Sequence, residues 1–389
     1  MHSCVRRFLQ KFSANTTKKQ EGFFHKTPVF DEFGKTFNNY MPQLDKGAGS
    51  YYNIVYIYAY IIQNIHFLWI FMHFAEKKEK IPMAKVFIDG SAGTTGLRIY
   101  ERLAERKDLE LITLSEEHRK ENAYRAEALS KADIAFLCLP DAAAVEAVAL
   151  AEGSAVKIID TSTAHRTNSA WAYGFPELDG QRDKILSSTR IANPGCHASG
   201  FIALMAPLVW AGIVKADANL SCFSLTGYSG GGKKMIAEYE DAGRNVLLDA
   251  PRQYGLTQKH KHLPEMKKVC GLTADPAFCP IVAPYYAGME VTVPLFASEL
   301  SGNVKEICDV YRAYYKEGLV RFVDSGDEEG FLSANAFAGR DDMQITVCGN
   351  EERILLVSRF DNLGKGASGA AIQNMNILLG VPEETGLNV

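Results

Sequence analysis

A cysteine in a turn is the most reactive group that the sequence offers. Cys196 follows Asn193-Pro194-Gly195 and precedes an apolar segment, Ala198–Leu208, that is typical of a helix whose length Pro207 limits. A thiol at a helix N-terminus has a lowered pKa and forms the nucleophilic thiolate more readily. Most cysteines are instead buried structural residues, which is the role that we expect for Cys138. The turn favours a catalytic nucleophile at position 196.

A second reactive group is the segment His260-Lys-His262-Leu-Pro-Glu265, which we predict to lie in a polar loop. The two histidines and the carboxylate have no further soft ligand nearby, so we predict no metal site. One histidine is better suited to acid/base chemistry, with Glu265 orienting it, although solvated loop histidines are the alternative. His197 is not expected to be the base, because neighbours on a helix point about 100° apart.

A glycine-rich turn predicts a dinucleotide site. It follows a predicted strand, Lys85–Asp89, and opens a predicted helix, Leu97–Lys107. Such a turn brings backbone N–H groups to a pyrophosphate at a helix N-terminus. Its GxxGxxG spacing differs from the commoner GxGxxG, and glycine turns also occur without ligands. The predicted cofactor-binding residues of this turn are Gly90, Ser91, Ala92, Gly93, Thr94, Thr95 and Gly96.

The end of the second predicted strand, Leu109–Leu114, bears on the choice between NAD and NADP. An acidic residue there would favour NAD, whereas Ser115 with Arg119 or Lys120 could hold a 2′-phosphate. Acidic and basic residues are both present, since Glu116 and Glu117 follow Ser115 directly. The residues themselves favour NADP only slightly.

Two further clusters could bind anions. Asp160–Arg166 lies at a predicted strand end, where Arg166 could clamp a phosphate or carboxylate or could be a surface arginine. Gly227–Lys234 combines backbone donors with two lysines and could hold a phosphate or form a flexible hairpin tip.

The order of elements predicts an α/β protein with two domains. Apolar strands that alternate with helices indicate a Rossmann-type parallel sheet in the first part. After residue 195 longer alternating segments indicate an α+β domain with a mainly antiparallel sheet and a hairpin turn at Gly349–Glu352, followed by a last helix, Lys365–Leu379. The remaining predicted segments are Asp133–Leu139, Asp141–Glu152, Val156–Asp160, Leu220–Tyr228, Pro280–Phe296 and Gln344–Phe360.

Four motifs in this order resemble one enzyme family. The dinucleotide turn, NPGC, HxHxPE and KGASGxAxQNMN are similar to the N-acetyl-γ-glutamyl-phosphate reductases of arginine biosynthesis, relatives of aspartate-semialdehyde dehydrogenase. The resemblance covers residues 83–389, and GTTGL indicates the compact subtype. The stretch GYSGGGKK departs from the shorter SGAGR-like version of longer members.

The resemblance implies an activity and roles for particular residues. It implies NADPH-dependent reduction of N-acetyl-glutamyl phosphate, with Cys196 as nucleophile forming a thioester and His260 as acid/base, although His262 could take that role instead. It places Arg166, His262, Asn193 and Gly195 near the substrate. The NADP site would include the glycine turn, Ser115, Asn362 and Gly364. Alternatives are an aspartate-semialdehyde dehydrogenase-type acyl-phosphate reductase, or an NADP-binding sensor without catalysis.

The first 82 residues match nothing in that family. Their apolar run Tyr51–Phe74 is long enough to span a bilayer, and the alternatives are an extraneous or misassigned start, an anchor or a targeting segment. We expect an extension at 1–82 and an NADP-binding domain at 83–195 that is completed by 363–389. We expect the catalytic and dimerisation domain at 196–362, and no membrane contact for 83–389.

The composition excludes several classes of protein. The 389 residues include 42 basic and 46 acidic ones, a net charge of −4 that argues against a nucleic-acid partner. A hydrophobic content of 47% excludes global disorder. The eight cysteines form no CxxC pair, so reduced thiols in the cytoplasm are expected. The substrate would be a small molecule, and the resemblance implies a homo-oligomer.

Overall fold

A computed structural model of the chain describes residues 83–389. The predicted span Tyr51–Phe74 lies outside the described residues. Over residues 83–389, no helix combines the length and the hydrophobicity that a membrane crossing requires.

The first sheet is parallel throughout, as predicted. Its six strands stand in the order β2-β1-β3-β4-β6-β5, and β3 and β4 are almost wholly buried, because helices cover both faces of the sheet. The four predicted strands are confirmed; β1 begins one residue earlier than predicted, and β2, β3 and β4 are one to three residues shorter. The strands are β1 Ala84–Asp89, β2 Leu109–Ile112, β3 Ile134–Leu137, β4 Lys157–Asp160, β5 Ala172–Tyr173 and β6 Arg190–Ala192.

Helices follow most of these strands, and the sheet reverses its winding between β1 and β3. The helices are α1 Thr94–Ala104, α2 Asn122–Lys131, α3 Asp141–Leu150 and α4 Gln181–Ser187. Strand β2 lies on one side of β1 and β3 on the other. In open parallel sheets the crevice at such a reversal binds ligands. Helices α1 and α3 both begin at this crevice.

The second sheet is mixed and mainly antiparallel, as predicted. Its order is β11-β12-β13-β10-β7-β9-β8, with parallel pairing only for β11 with β12 and for β7 with β9. The hairpin at Gly349–Glu352 is confirmed. The segment 280–296 is two strands rather than one, since the chain turns between β9 and β10. The strands are β7 Ser221–Gly227, β8 Arg252–Gln253, β9 Ala277–Ala283, β10 Met289–Phe296, β11 Val320–Phe322, β12 Met343–Gly349 and β13 Arg353–Phe360.

One long apolar helix, α5 (Cys196–Trp210), packs against the second sheet. Pro207 was predicted to limit the length of this helix, but the helix continues past it and ends three residues later. Phe201, Ile202 and Leu204 are fully buried in the core that α5 shares with β10 and β13. The other helices of this part are α6 Gly232–Glu240, α7 Leu263–Cys270 and α8 Val304–Tyr314.

The chain returns to the first sheet at its end. A π-helical turn, Gly364–Ser368, leads into α9 (Gly369–Leu379), whose Ile372 and Met375 join the core of the parallel sheet. Lys365 in this turn is buried and pairs through Nζ with Glu177 at 2.7 Å. Because Lys365 precedes Gly366, which packs on Cys196, this buried pair anchors one wall of the site.

Candidate active site

The predicted nucleophile is the first residue of α5. Gly195 is the N-cap, no side chain caps the helix, and its first turn holds no acidic residue. The N-terminal N–H groups of α5 are therefore left for a ligand or a developing negative charge. Cys196 is half-buried, and Gly366 approaches it so closely that an added Cβ would lie 2.9 Å from the Cys196 Cβ.

The pKa of this thiol differs from the sequence prediction. Burial raises the pKa of Cys196 above its usual value and outweighs the opposing effects of the Arg166 charge and the His197 backbone N–H. The helix N-terminus was predicted correctly, but desolvation by neighbouring segments is invisible in the local sequence. The thiolate therefore depends on charges brought by other elements.

A buried ion pair lies directly behind Gly195. Arg166 donates from Nη1 to Glu265 Oε1 at 2.9 Å, and Glu265 also accepts from the Tyr173 hydroxyl and the Gly195 N–H. Glu265 was predicted to orient a histidine, but its Oε1 lies 3.9 Å from His262 Nε2, which is too far for a hydrogen bond. It sits on α7 rather than in a loop, because the helix begins at Leu263 with a proline in its first turn.

Gly195 cannot carry a side chain in this arrangement. An added Cβ would lie 2.4 Å from Arg166 Nη1 and from His262 Nε2, and 2.6 Å from Glu265 Oε1. We expect Gly195→Ala to lower activity at least about 100-fold and the free energy of unfolding by about 1–3 kcal/mol, since overpacking displaces these groups. Steady-state kinetics and urea unfolding would measure both effects.

Gly243→Ala is the matched control for that substitution. The nearest atom to an added Cβ there is Asp241 Oδ1, at an ordinary 3.4 Å. We expect wild-type kinetics from this variant. Wild-type activity in Gly195→Ala as well would show that the site tolerates displacement of the ion pair.

The two histidines of the HxHxPE motif differ in burial. His262 is buried, and its Nδ1 has no hydrogen-bond partner among residues 83–389. His260 is half-buried, and its Nδ1 accepts the His262 backbone N–H at 3.2 Å. Burial and the neighbouring Lys261 charge lower the pKa of His260 to about 4. His260 is therefore a neutral ring at pH 7, with its proton on Nε2.

His197 is held inside the protein. Its Nδ1 lies 2.7 Å from Ser224 Oγ and its Nε2 lies 2.7 Å from the Tyr254 hydroxyl, so both ring nitrogens are occupied. Burial lowers the pKa of His197 to about 3. Burial keeps its ring neutral, and the two occupied ring nitrogens give a structural reason for not assigning it as the base.

A cavity of about 320 Å³ opens at the crevice between β1 and β3. Of the predicted site residues, Gly93, Thr94, Thr95 and Arg166 line it. Other walls come from segments that follow β3, β4 and β7. Pro140 and Asp141, which were not predicted as site residues, also line the cavity. So do Thr161, Ser162 and Thr163 of the predicted Asp160–Arg166 cluster, and Lys261 of the HxHxPE segment.

The glycine turn has the geometry that a pyrophosphate needs. Gly90 has φ +89°, and a Cβ there or at Gly96 would lie within 2.4 Å of a carbonyl oxygen. Gly93 caps α1 without a side-chain hydrogen bond, and the first turn of α1 holds no acidic residue. Free N–H groups at a helix N-terminus suit a dinucleotide phosphate. The turn therefore fits the predicted cofactor.

The other predicted cofactor residues lie outside the lining of this cavity. Ser115 is exposed, with its Oγ 3.0 Å from His118 Nδ1. Asn362 is buried and donates to Ser229 Oγ at 2.9 Å. Gly364 packs against Arg340, whose carbonyl oxygen would lie 2.0 Å from an added Cβ. Their cofactor roles stay predictions.

One alternative offered for the Gly227–Lys234 segment is wrong, and the site residue Asn193 has structural contacts of its own. The Gly227–Lys234 segment is no hairpin tip, since β7 runs into a 3₁₀ turn, Tyr228–Gly231, and then into α6. Asn193, predicted near substrate, donates from its amide to Ala367 O at 3.0 Å. The backbone carbonyl oxygen of Asn193 accepts a hydrogen bond from Arg166 Nε at 2.9 Å. These bonds tie the NPGC turn to the C-terminal segment, and contact with substrate stays a prediction.

One sequence pattern would have predicted the part of the cavity wall formed by Leu139, Pro140 and Asp141. Leu139-Pro140-Asp141 follows a buried strand directly, and ligands of parallel sheets gather at that end. Asp141 accepts from the Thr163 N–H at 2.9 Å and so joins the ends of β3 and β4. Within residues 83–389, no group of three or more His, Cys, Asp or Glu side chains is arranged to hold a metal.

Comparison with known sequences agrees with this geometry. Residues 85–187 match the family model "Semialdehyde dehydrogenase, NAD binding domain", and residues 196–362 match "Semialdehyde dehydrogenase, dimerisation domain". The N-acetyl-gamma-glutamyl-phosphate reductase 2 of Nostoc sp. is 44% identical over 318 residues, which are 78% of this chain and 99% of that protein. The N-acetyl-gamma-glutamyl-phosphate reductase of Brucella ovis is 47% identical over 306 residues, 76% of this chain and 99% of that protein.

Solved structures share the fold at low identity. Aspartate semialdehyde dehydrogenase II from Vibrio cholerae, complexed with ASA, aligns with a TM-score of 0.60 at 17% identity, over 77% of this chain and 98% of that one. Aspartate semialdehyde dehydrogenase with NADP from Candida albicans aligns with a TM-score of 0.54 at 16% identity, over 76% and 98%.

Proposed function

The chain belongs to the N-acetyl-gamma-glutamyl-phosphate reductase family, and on that premise we propose that it reduces N-acetyl-L-glutamyl 5-phosphate with NADPH. The products are N-acetyl-L-glutamate 5-semialdehyde, NADP and inorganic phosphate. One observation carries the catalytic assignment: Cys196 begins an uncapped helix beside Arg166, which lines the crevice of the glycine turn.

Cys196 starts the reaction as a nucleophile. Its thiolate attacks the acyl carbon, the C–S bond forms, the bond from that carbon to the phosphate oxygen breaks, and phosphate leaves. The Cys196 thioester accepts a hydride where a carboxylate would not, and NADPH supplies that hydride when bound. The resulting thiohemiacetal oxyanion collapses to the aldehyde and returns the thiolate, which then regains its proton.

His260 is the histidine that we assign to the reacting oxygen. His260 is half-buried, whereas His262 is buried. The Nδ1 of His260 already accepts a backbone N–H, from His262. The Nε2 proton of His260 is thus available as a donor to the oxygen on which negative charge develops, together with N–H groups at the start of α5. Acid/base work by His260 remains part of the proposal.

We also propose a cytoplasmic homo-oligomer. The seven cysteines among residues 83–389 are free thiols, which suits a reducing compartment. Large apolar side chains are exposed on the second sheet, with Phe223 at 43% and Leu355 at 40%, and apolar patches of this kind mark protein interfaces. The domain limits 83–195 with 363–389, and 196–362, are retained as a proposal.

The reverse reaction on the full chain tests the proposed function. NADPH formation would be followed with N-acetyl-glutamate semialdehyde, NADP and phosphate, with aspartate semialdehyde as the paired substrate. We expect phosphate-dependent turnover of the acetylated substrate. Turnover of aspartate semialdehyde instead would change the substrate while keeping the chemistry. NADP binding without turnover of either would favour a sensor.

A further inference from the structure

Lys261 is a positively charged residue in the cavity wall whose ammonium has no partner among residues 83–389. It lies between the two histidines of the motif, is exposed, and lines the cavity. Among residues 83–389 its ammonium has no ion pair or hydrogen bond within the usual limits. The Lys261 charge contributes a lowering effect to the pKa of Cys196, Asp141 and His260, in keeping with its place in the lining.

The other positively charged residue that lines the cavity, Arg166, already has hydrogen-bond partners and a counter-ion. Arg166 donates from Nη1 to Glu265, from Nη2 to Thr161 O at 2.9 Å, and from Nε to Asn193 O. Its side chain is only 8% exposed, and the Glu265 carboxylate balances its charge. Of the two cations that line the cavity, Lys261 is therefore the one whose charge is left for an incoming anion.

The facing wall offers hydrogen-bond donors. Ser229 is buried, and because its Oγ accepts from Asn362, its own hydroxyl proton is left for a further acceptor. Helix α6 begins directly after this turn with no side-chain cap and no acidic residue in its first turn. The carboxylate in the lining, Asp141, is engaged by the N–H and hydroxyl of Thr163.

We propose that Lys261 binds the phosphoryl group of the acyl phosphate and the inorganic phosphate that this group becomes. The inference rests on the proposed function, which places a phosphate directly beside Cys196. A phosphate group carries about −1.5 to −2 charges at pH 7, and a charge-assisted hydrogen bond to an ammonium suits it. Lys261 thereby distinguishes acyl phosphates from acyl groups that lack a phosphate.

Lys261→Gln in the full chain tests this role in the reverse reaction, where phosphate is a substrate. We expect the KM for phosphate to rise about 10- to 100-fold, the loss typical of a hydrogen bond to a charged group. The KM values for the semialdehyde and for NADP should change less than about twofold. Lys261→Arg, which keeps the charge, should restore most of the affinity for phosphate.

Lys259→Gln is the matched control. Lys259 is exposed two residues earlier and does not line the cavity, so we expect an unchanged KM for phosphate. An unchanged KM for phosphate in Lys261→Gln would overturn the proposal. So would a shift of the acidic limb of the pH–rate profile alone, because that result would limit Lys261 to lowering the thiol pKa.

Failure of the proposed function can be told from failure of this inference. A wild-type chain with no phosphate-dependent turnover would refute the function, whatever Lys261 does. Phosphate should still raise the melting temperature of the wild-type chain more than that of Lys261→Gln. Equal shifts in the two proteins would refute phosphate binding by Lys261.

Discussion

Cys196→Ser should lose at least about 10³-fold in phosphate-dependent turnover while it keeps its affinity for NADP. A serine hydroxyl at this position is a far weaker nucleophile, and the oxygen ester that it would form is a poorer hydride acceptor than a thioester. NADP binding should survive because the glycine turn, Gly90–Gly96, lies in a different segment from the α5 N-terminus. Steady-state kinetics and calorimetric titration with NADP measure the two effects separately.

Cys348→Ser is the control for that substitution. Cys348 is also half-buried and free, but it lies on β12, away from the cavity lining. We expect its kinetics to match those of the wild-type chain. Residual turnover of Cys196→Ser within about tenfold of wild type would remove the thiol from the mechanism.

Features that depend on short stretches of sequence could be predicted. The glycine turn, the buried strands around it and the hairpin at Gly349–Glu352 follow from local patterns of apolar residues and glycines. The start of a helix near Cys196 was also predictable, since Asn-Pro-Gly forms a turn. Each of these features needs only neighbouring residues to form.

The contacts at the centre of the site join distant residues, so the sequence did not predict which of its residues pair. Glu265 meets Arg166 across 99 positions and the Gly195 N–H across 70. Its position in HxHxPE suggested a histidine partner instead. The raised pKa of Cys196 likewise reflects burial by Gly366 and other distant segments, so the local helix argument gave the wrong direction. Desolvation and pairing of this kind are decided by tertiary packing.

Glu265→Gln should therefore cost both stability and activity. Glu265 is 1% exposed and accepts from Arg166, the Tyr173 hydroxyl and the Gly195 N–H. The substitution keeps the shape but leaves the Arg166 charge buried without a counter-ion, which should lower the free energy of unfolding by about 3–5 kcal/mol. Urea unfolding measures this loss.

Activity distinguishes a structural from a positioning role for Glu265. In Glu265→Gln the Gly195 N–H loses its charged acceptor, so the turn that holds Cys196 shifts and kcat should fall at least about tenfold in the fraction that stays folded. Asp309→Asn, which removes an exposed ion pair with Lys305 on α8, is the control and should change neither quantity measurably. A double-mutant cycle with Arg166→Gln would isolate the pair, because an ion pair that positions Cys196 predicts strongly non-additive losses in kcat. Additive losses would mean that Arg166 and Glu265 act on the nucleophile independently.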